Sequence, residues 1–499
     1  MNFRLSYGLL AVIAFIIFLR APSLFEPYWY GDEGIYLAVG QALQRGAVLY
    51  RDIWDNKPPL LYLIYAISPT LFWAKLSATV FVLGTITAVY LLSQKIFSST
   101  TRSTVYSLLT TAISGIFLSL PLLEGTIANA ELYFTLPIVW GAYIVYRIMN
   151  QELRTMGRGF LLGGLLITAF LIKVPAIFDF MGIFAATSIY RLIETKEIKK
   201  FLEREIKIYF PVAITFITII IFILLYFSFN NALKDFLTAS FSQNASYVEV
   251  GSGPLATLSN PLFIKALLLL ISLISLNVFF WKRKISKEFL FLSCWFGFSL
   301  YGALLSNRPY MHYILQIVPP TSILAIYLIS HIRSYWLHLA ILATVLFALI
   351  RWSEGAFALD SFTYYQNWFD YISERKSWEQ YVNYFDPRAL NAYRISSYLI
   401  RNTNPDGHIF VWADSAFIYV LSERPPATRF IQAHHLTTID SKNYNLVIER
   451  LEEVRPKYIL VERPVKFVFP LLEALLRSNY RQAKIFEDTY VYENKAAAL

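Results

Sequence analysis

Long apolar blocks separated by short polar ones make up the chain as far as residue 351, and then the pattern changes. A helix needs about 20 largely apolar residues to cross a bilayer. Eleven segments approach that: near 5–20, 73–94, 103–121, 131–149, 160–173, 175–190, 208–228, 261–281, 288–305, 314–331 and 334–351. The fifth and sixth are separated at Lys173-Val174-Pro175, where proline removes a helical donor, so one kinked span or two short ones fit. Counting two gives eleven. The first block follows Arg4 and ends at Arg20-Ala21-Pro22 without a small-x-small cleavage site, so a retained helix is expected rather than a removed signal.

Beyond Trp352 no run is long enough to span. The stretches 408–413 and 457–462 read as buried strands, and 390–401 and 444–454 have helical spacing. Asn404-Pro405-Asp406-Gly407 supplies a turn before the first strand. The expected architecture is therefore a polytopic α-helical membrane protein with a small C-terminal α/β domain. Its divisions are a membrane domain over 1–351, an aromatic-rich connector over 352–385 and an extracytoplasmic domain over 386–499.

Composition supports this division. Of the 499 residues 56% are hydrophobic and 16% charged, against about 25% charged in ordinary soluble domains. The net charge of +10 would suggest nucleic acid in a soluble chain. Here the cations gather in alternate loops (Lys95 and Arg102, then Arg147 to Arg158, Arg191 to Lys207, Lys282 to Lys287, and Arg333), while the loops at 121–130, 229–260 and 306–313 hold few. The positive-inside rule then puts the N-terminus in the cytoplasm, and the loop at 21–57 and everything after residue 351 on the outer face; the compact loops suit a plasma (inner) membrane. The partner is a bilayer, not nucleic acid. The single cysteine, Cys294, lies in an apolar run and permits no intramolecular disulfide.

The outer loop is more charged and aromatic than a linker requires. It carries Asp32, Glu33, Arg45, Arg51, Asp52, Asp55 and Lys57. Tyr36, Val39, Gly40 and Leu43 fall on one helical face, which predicts a short helix along the membrane with Asp32 and Glu33 at its N-terminal end. There the helix dipole favours ionised carboxylates, and an oriented carboxylate can act as a general base. The plainer alternative is that Asp32 only caps the helix. Lys57 precedes Pro58-Pro59 and an apolar run. It is either a snorkelling anchor or a charge fixed by stiff backbone to meet a phosphate.

Four elements in order, Arg20-Ala-Pro, Asp32-Glu33-Gly-Ile-Tyr36, Tyr50-Arg-Asp52 and Asp55-Asn-Lys57-Pro58-Pro59-Leu60-Leu-Tyr62, resemble the GT-C glycosyltransferases. More narrowly, they resemble the bacterial branch related to protein O-mannosyltransferases and the lipid A aminoarabinose transferase. Asn129-Ala130-Glu131 and Arg308-Pro309-Tyr310-Met311-His312-Tyr313, ahead of Pro319-Pro320, extend the likeness along the membrane part; residues 353–499 share it only loosely.

The resemblance implies a cell-envelope glycosylation enzyme that inverts the anomeric centre, moving a sugar from a polyprenyl-phosphate donor to an acceptor hydroxyl on a glycan, lipid or protein. It implies Asp32 as catalytic base, Glu33 as the acid that orients it or the acceptor, and Lys57 as the donor-phosphate contact. A phosphate leaving group of low proton affinity calls for cations more than for a general acid. Arg308, Tyr310 and Tyr313 are further candidates for that phosphate, since a guanidinium matches phosphate in two-pronged fashion; the alternative is an interfacial aromatic belt. Glu124 and Glu131 are alternatives for an acceptor contact or second acid. His312 beside a carboxylate is a candidate for a divalent metal ion. Lys173 is either functional or part of an outer-face bend. The 229–260 loop, with Asp235, Asn244, Tyr247, Glu249 and Gly251-Ser-Gly253, suits a mobile cover.

Two other classes fit the composition. A flippase or transporter of a lipid-linked saccharide would concentrate charge at mid-membrane and show repeated halves. A catalytically silent, glycan-binding relative would keep the fold without the carboxylate and lysine.

Overall fold

A computed structural model describes residues 6–150, 156–195, 197–243, 261–306, 308, 310–352, 359–437 and 442–498. Asn244, Tyr247, Glu249 and Gly251 to Gly253 of the expected cover lie outside them. The chain forms two compact units. One, the bundle, takes residues 1–23, 75–223 and 247–361; the other, the loop unit, takes 24–74, 224–246 and 362–499. The charged outer loop thus shares a unit with the C-terminal α/β segment.

Among the described residues, eight helices are long and apolar enough to cross a membrane: Tyr7–Phe25, Leu71–Ile96, Ala130–Met149, Val174–Thr195, Ile198–Phe229, Phe263–Trp281, Met311–Ser330 and Ile332–Leu349. Ser103–Phe117 and Gly157–Ile172 are shorter apolar helices. The segment expected near 288–305 is a helix over Lys287–Ala303, started by Ser286, whose hydroxyl accepts from the Phe289 amide. Proline at 175 has the effect expected of it: helices Met156–Ile172 and Ile177–Thr195 are separate, joined by a 3₁₀ turn at Val174–Ala176.

In Ala130–Met149, 83% of the most apolar window is buried, against 17% in Ile198–Phe229. The first is covered by protein. The second leaves an apolar surface that a bilayer would cover. Helix Ile177–Thr195 meets Lys287–Ala303 closely because Gly182 has no side chain; a Cβ there would lie 2.7 Å from the carbonyl oxygen of Cys294. Buried charge in the bundle is compensated locally. Arg20, fully buried, donates Nη1 to the carbonyls of Leu118 and Gly125 and Nε to Thr79.

In the loop unit a four-stranded sheet has the order β1 (Ile409–Trp412), β2 (Tyr458–Glu462), β4 (Thr489–Asn494), β3 (Tyr480–Phe486). β1 and β2 are parallel; β2–β4 and β4–β3 are antiparallel. The first two strands and the helices Pro387–Asn402 and Lys442–Val454 match the sequence pattern. The β3–β4 hairpin was not anticipated, because β3 is an edge strand with one buried residue and a run of exposed ones. The described part of the connector forms two helices, Ser361–Ile372 and Trp378–Phe385, the latter opened by a Ser377–Gln380 capping box.

The outer loop folds as two helices, Gly31–Gln44 and Pro59–Ala66. They approach at Gly40, where an added Cβ would fall 2.8 Å from the Tyr65 backbone. The intervening turn is tied to the C-terminal segment by the Trp54 amide, which donates to the Arg429 carbonyl at 2.8 Å.

Candidate active site

Helix Gly31–Gln44 starts after Tyr30, whose side chain makes no cap bond, and Asp32 and Glu33 both lie in its first turn. Asp32 is therefore inside the helix rather than at the capping position. Its Oδ2 accepts from the Tyr36 hydroxyl at 3.1 Å, one turn on. Asp32 is half-buried and Glu33 is buried. The first-turn position favours the ionised form of both through the free amides and the dipole.

Lys57 reaches the same tyrosine from the bend just ahead of the second helix. Its Nζ lies 5.4 Å from the centroid of the Tyr36 ring. Its backbone is clamped on both sides. The Lys57 amide donates to the Tyr62 hydroxyl at 3.0 Å, and the Tyr50 hydroxyl donates to the Lys57 carbonyl at 2.7 Å. Tyr50 itself sits in the left-handed region (φ 69), an uncommon conformation for a bulky residue. That backbone is stabilised by a bond from its amide to Ile53 and by the complete burial of the ring. Pro58 then leads into a helix that begins at Pro59, where a missing amide hydrogen costs nothing.

A second cluster lies under this one. Asp55, fully buried, accepts from the Tyr62 hydroxyl at 2.6 Å, and the Nε2 of His435 lies 3.2 Å from its Oδ1. Burial pushes the His435 imidazole down to about 4, although Asp55 pulls the other way. The contact is thus that of a neutral ring with a carboxylate. Burial also raises the Tyr62 phenol well above its usual value, so it stays a donor. Sequence reasoning missed Tyr50, Tyr62 and His435 as supports. Tyr50, Asp55 and Tyr62 stood within the matched motifs, whereas no spacing rule connects His435 to Asp55.

Within the bundle, six of the remaining candidates form one chain of contacts. Glu124 pairs with Nδ1 of His312, whose ring stacks on Tyr310 (5.6 Å, 13°) and meets the edge of Tyr313 (4.6 Å, 84°). Lys173 lies 4.0 Å over the Tyr313 ring and pairs with buried Glu131. Lys173, open between function and a bend, thus sits at the bend and has an acidic partner. Arg308 is exposed, and its amide donates to Ser306 at 3.4 Å. For a metal, His312 brings one carboxylate; among the described residues no three His, Cys, Asp or Glu side chains converge in a metal-holding arrangement. Two donors fall short of the three protein ligands that hold a catalytic zinc, and no reaction step is assigned to a metal.

A family model described as the C-terminal domain of the putative competence-induced protein Ccs4 matches residues 391–495. No curated protein matches the chain. Among solved structures, ArnT from Cupriavidus metallidurans bound to undecaprenyl phosphate is similar at a TM-score of 0.59 and 12% identity, over 98% of both chains. Its apo state gives 0.57 over the same shares. AglB, an oligosaccharyltransferase from Archaeoglobus fulgidus, gives 0.45 at 11% identity over 99% of this chain and 75% of its own, too remote to bear on the argument. At these identities the likeness concerns the fold. The chain has the GT-C membrane fold that its first outer loop resembles.

Proposed function

We propose that the protein is an inverting glycosyltransferase that moves a sugar from a polyprenyl-phosphate donor to an acceptor hydroxyl at the outer face of the membrane. The observation that carries this reading is the meeting of Asp32 and Lys57 on Tyr36: one accepts from its hydroxyl, the other lies against its ring. A carboxylate base and a cation for a departing phosphate are the two groups the reaction needs. The ArnT fold, solved with undecaprenyl phosphate, favours a donor of that class.

In the reaction, the acceptor oxygen forms a bond to the anomeric carbon as the bond from that carbon to the phosphate oxygen breaks. Asp32 takes the acceptor proton, oriented by the Tyr36 hydroxyl. Glu33 holds the base or the acceptor in line. The phosphate leaves with the bonding electrons and is met by Lys57, whose backbone clamp limits its reach. A single displacement of this kind inverts the anomeric centre. In the bundle, Arg308, Tyr310 and Tyr313 are proposed as further phosphate contacts on the chemistry of guanidinium and phenol, and Glu124 or Glu131 as the second acid.

Binding of undecaprenyl phosphate to purified protein tests the cation. A charge-assisted contact contributes roughly 1.5–3 kcal/mol, so Lys57→Gln should weaken binding about 10- to 100-fold, while Asp32→Asn leaves it near the wild-type value. Equal binding by wild type and Lys57→Gln would remove the lysine from the donor site.

A further inference from the structure

A cavity of about 580 Å³ lies in the loop unit at the C-terminal end of helix Gly31–Gln44. Its size is that of a small-molecule pocket, about 300–1,000 Å³. Neither Asp32, Glu33 nor Lys57 lines it. Its wall carries Arg45, Arg51, Arg424, Arg429 and Arg450 against a single carboxylate, Asp52.

These arginines do different jobs. Arg424 is buried, and its three nitrogens are bound to Thr403 and to the carbonyls of Ser422, Ile400 and Thr403, so it builds the wall. Arg51 grips Asp52 with two bonds of 2.8 Å, and Arg429 bonds Asp235 at 3.0 Å while stacking 5.0 Å over Trp54. Arg45 and Arg450 are exposed and each uses one nitrogen: Arg45 on the Glu423 carbonyl, Arg450 on Glu453. With Asp235 and Glu453 counted beside Asp52, the cations still outnumber the anions.

The surrounding groups register this field. The Arg51 fork, with Arg450 adding to it, holds the Asp52 carboxyl below the usual carboxylate range. Burial, and then the charges of Arg450 and Arg45, lower the imidazole of His408, another lining residue.

We infer that this cavity is a second anion site, separate from the carboxylate–lysine site, and that it takes a phosphate monoester carried on a body the size of a sugar. Guanidinium forks match the oxygens of a phosphate. The surplus of positive charge suits a group carrying about −1.5 to −2 at neutral pH better than a single carboxylate. The volume leaves room beyond the phosphate for a saccharide ring. This inference does not depend on the proposed transfer reaction.

The test is calorimetric titration of the full-length protein in detergent at low salt with glucose 1-phosphate, against glucose and inorganic phosphate. Glucose 1-phosphate should bind, inorganic phosphate more weakly, and glucose not measurably. Arg45→Gln with Arg450→Gln should weaken glucose 1-phosphate by about tenfold or more, since two charge-assisted contacts are lost. Both positions are exposed, so the melting temperature should hold, and Lys57→Gln should change affinity by no more than about twofold, as expected of an independent site. Binding that survives the double substitution but falls in Lys57→Gln would overturn the inference. So would an absence of glucose 1-phosphate binding, or equal affinity for inorganic phosphate.

Discussion

In the bundle, three buried carboxylates meet a cation, a histidine or several donors: Glu131 pairs with Lys173, Glu124 contacts His312, and Asp179 accepts from Trp295, Ser299 and Gln316. In the loop unit, Asp32 and Asp55 each accept from a tyrosine hydroxyl, and the clamp around Lys57 holds its backbone. The two devices have different consequences. An ion pair largely cancels the charges it joins, which suits a group that must sit in a low-dielectric interior. A neutral hydroxyl fixes the direction of a carboxylate without adding a charge of its own. Asp32 is thus oriented by a neutral group, whereas Glu131 sits against a cation.

Substitutions can break that contrast. Lys173→Met would leave Glu131 buried without its cation and should cost about 3–5 kcal/mol of stability, read as a lower melting temperature in detergent. Asp179→Asn would turn an amide NH₂ toward groups that are all donors, a loss of roughly 1–3 kcal/mol, with turnover per folded molecule retained. If Asp179→Asn abolished turnover without loss of stability, Asp179 would have to be reassigned to the chemistry, whereas turnover lost in a folded Lys173→Met protein would point to Glu131 as the second acid.

The loop unit makes a pH-dependent contribution of its own. His435 is held neutral down to about pH 4, whereas an unfolded histidine takes up its proton near 6.5. Between those values the unfolded chain binds more protons, so stability should be complete above about pH 6.5 and fall toward pH 4. Melting curves across that range should show the slope, and His435→Gln should flatten it. A smaller effect is expected from Tyr36→Phe. Loss of one hydrogen bond to a half-buried carboxylate, about 1.5 kcal/mol at the lower end for a charged acceptor, should slow turnover about tenfold while the melting temperature barely moves. At the far end, Glu487→Gln breaks only the exposed pair with Arg394 and should change stability by less than about 1 kcal/mol.

Much of the bundle was legible because one physical requirement, covering a bilayer's thickness with apolar residues, writes itself into contiguous sequence. Helix Ala130–Met149 begins within one residue of its expected start, and the break at Pro175 falls where the missing donor puts it. The helix at Gly31–Gln44 was legible from its 3.6-residue period. The hairpin of β3 and β4 was not, since Arg481, Gln482 and Lys484 face solvent and leave no alternation to read. Nor was the arginine-walled cavity: Arg45 and Arg51 lie in the outer loop, whereas Arg424, Arg429 and Arg450 follow more than 370 residues later. Local pattern specifies elements, while a polar cluster built from distant segments has no period. Asp32 and Lys57 were legible only as members of a motif, and their meeting at Tyr36 came from the packing of two helices.

The most direct test of the central claim is release of sugar from radiolabelled polyprenyl-phosphate sugars by purified protein, wild type beside Asp32→Asn, with donor binding measured on the same samples. General-base catalysis typically contributes about 10²- to 10⁴-fold. The account predicts wild-type turnover that falls by that order in a folded Asp32→Asn protein whose donor binding is intact. Turnover undiminished by the substitution would contradict it and remove Asp32 as the base.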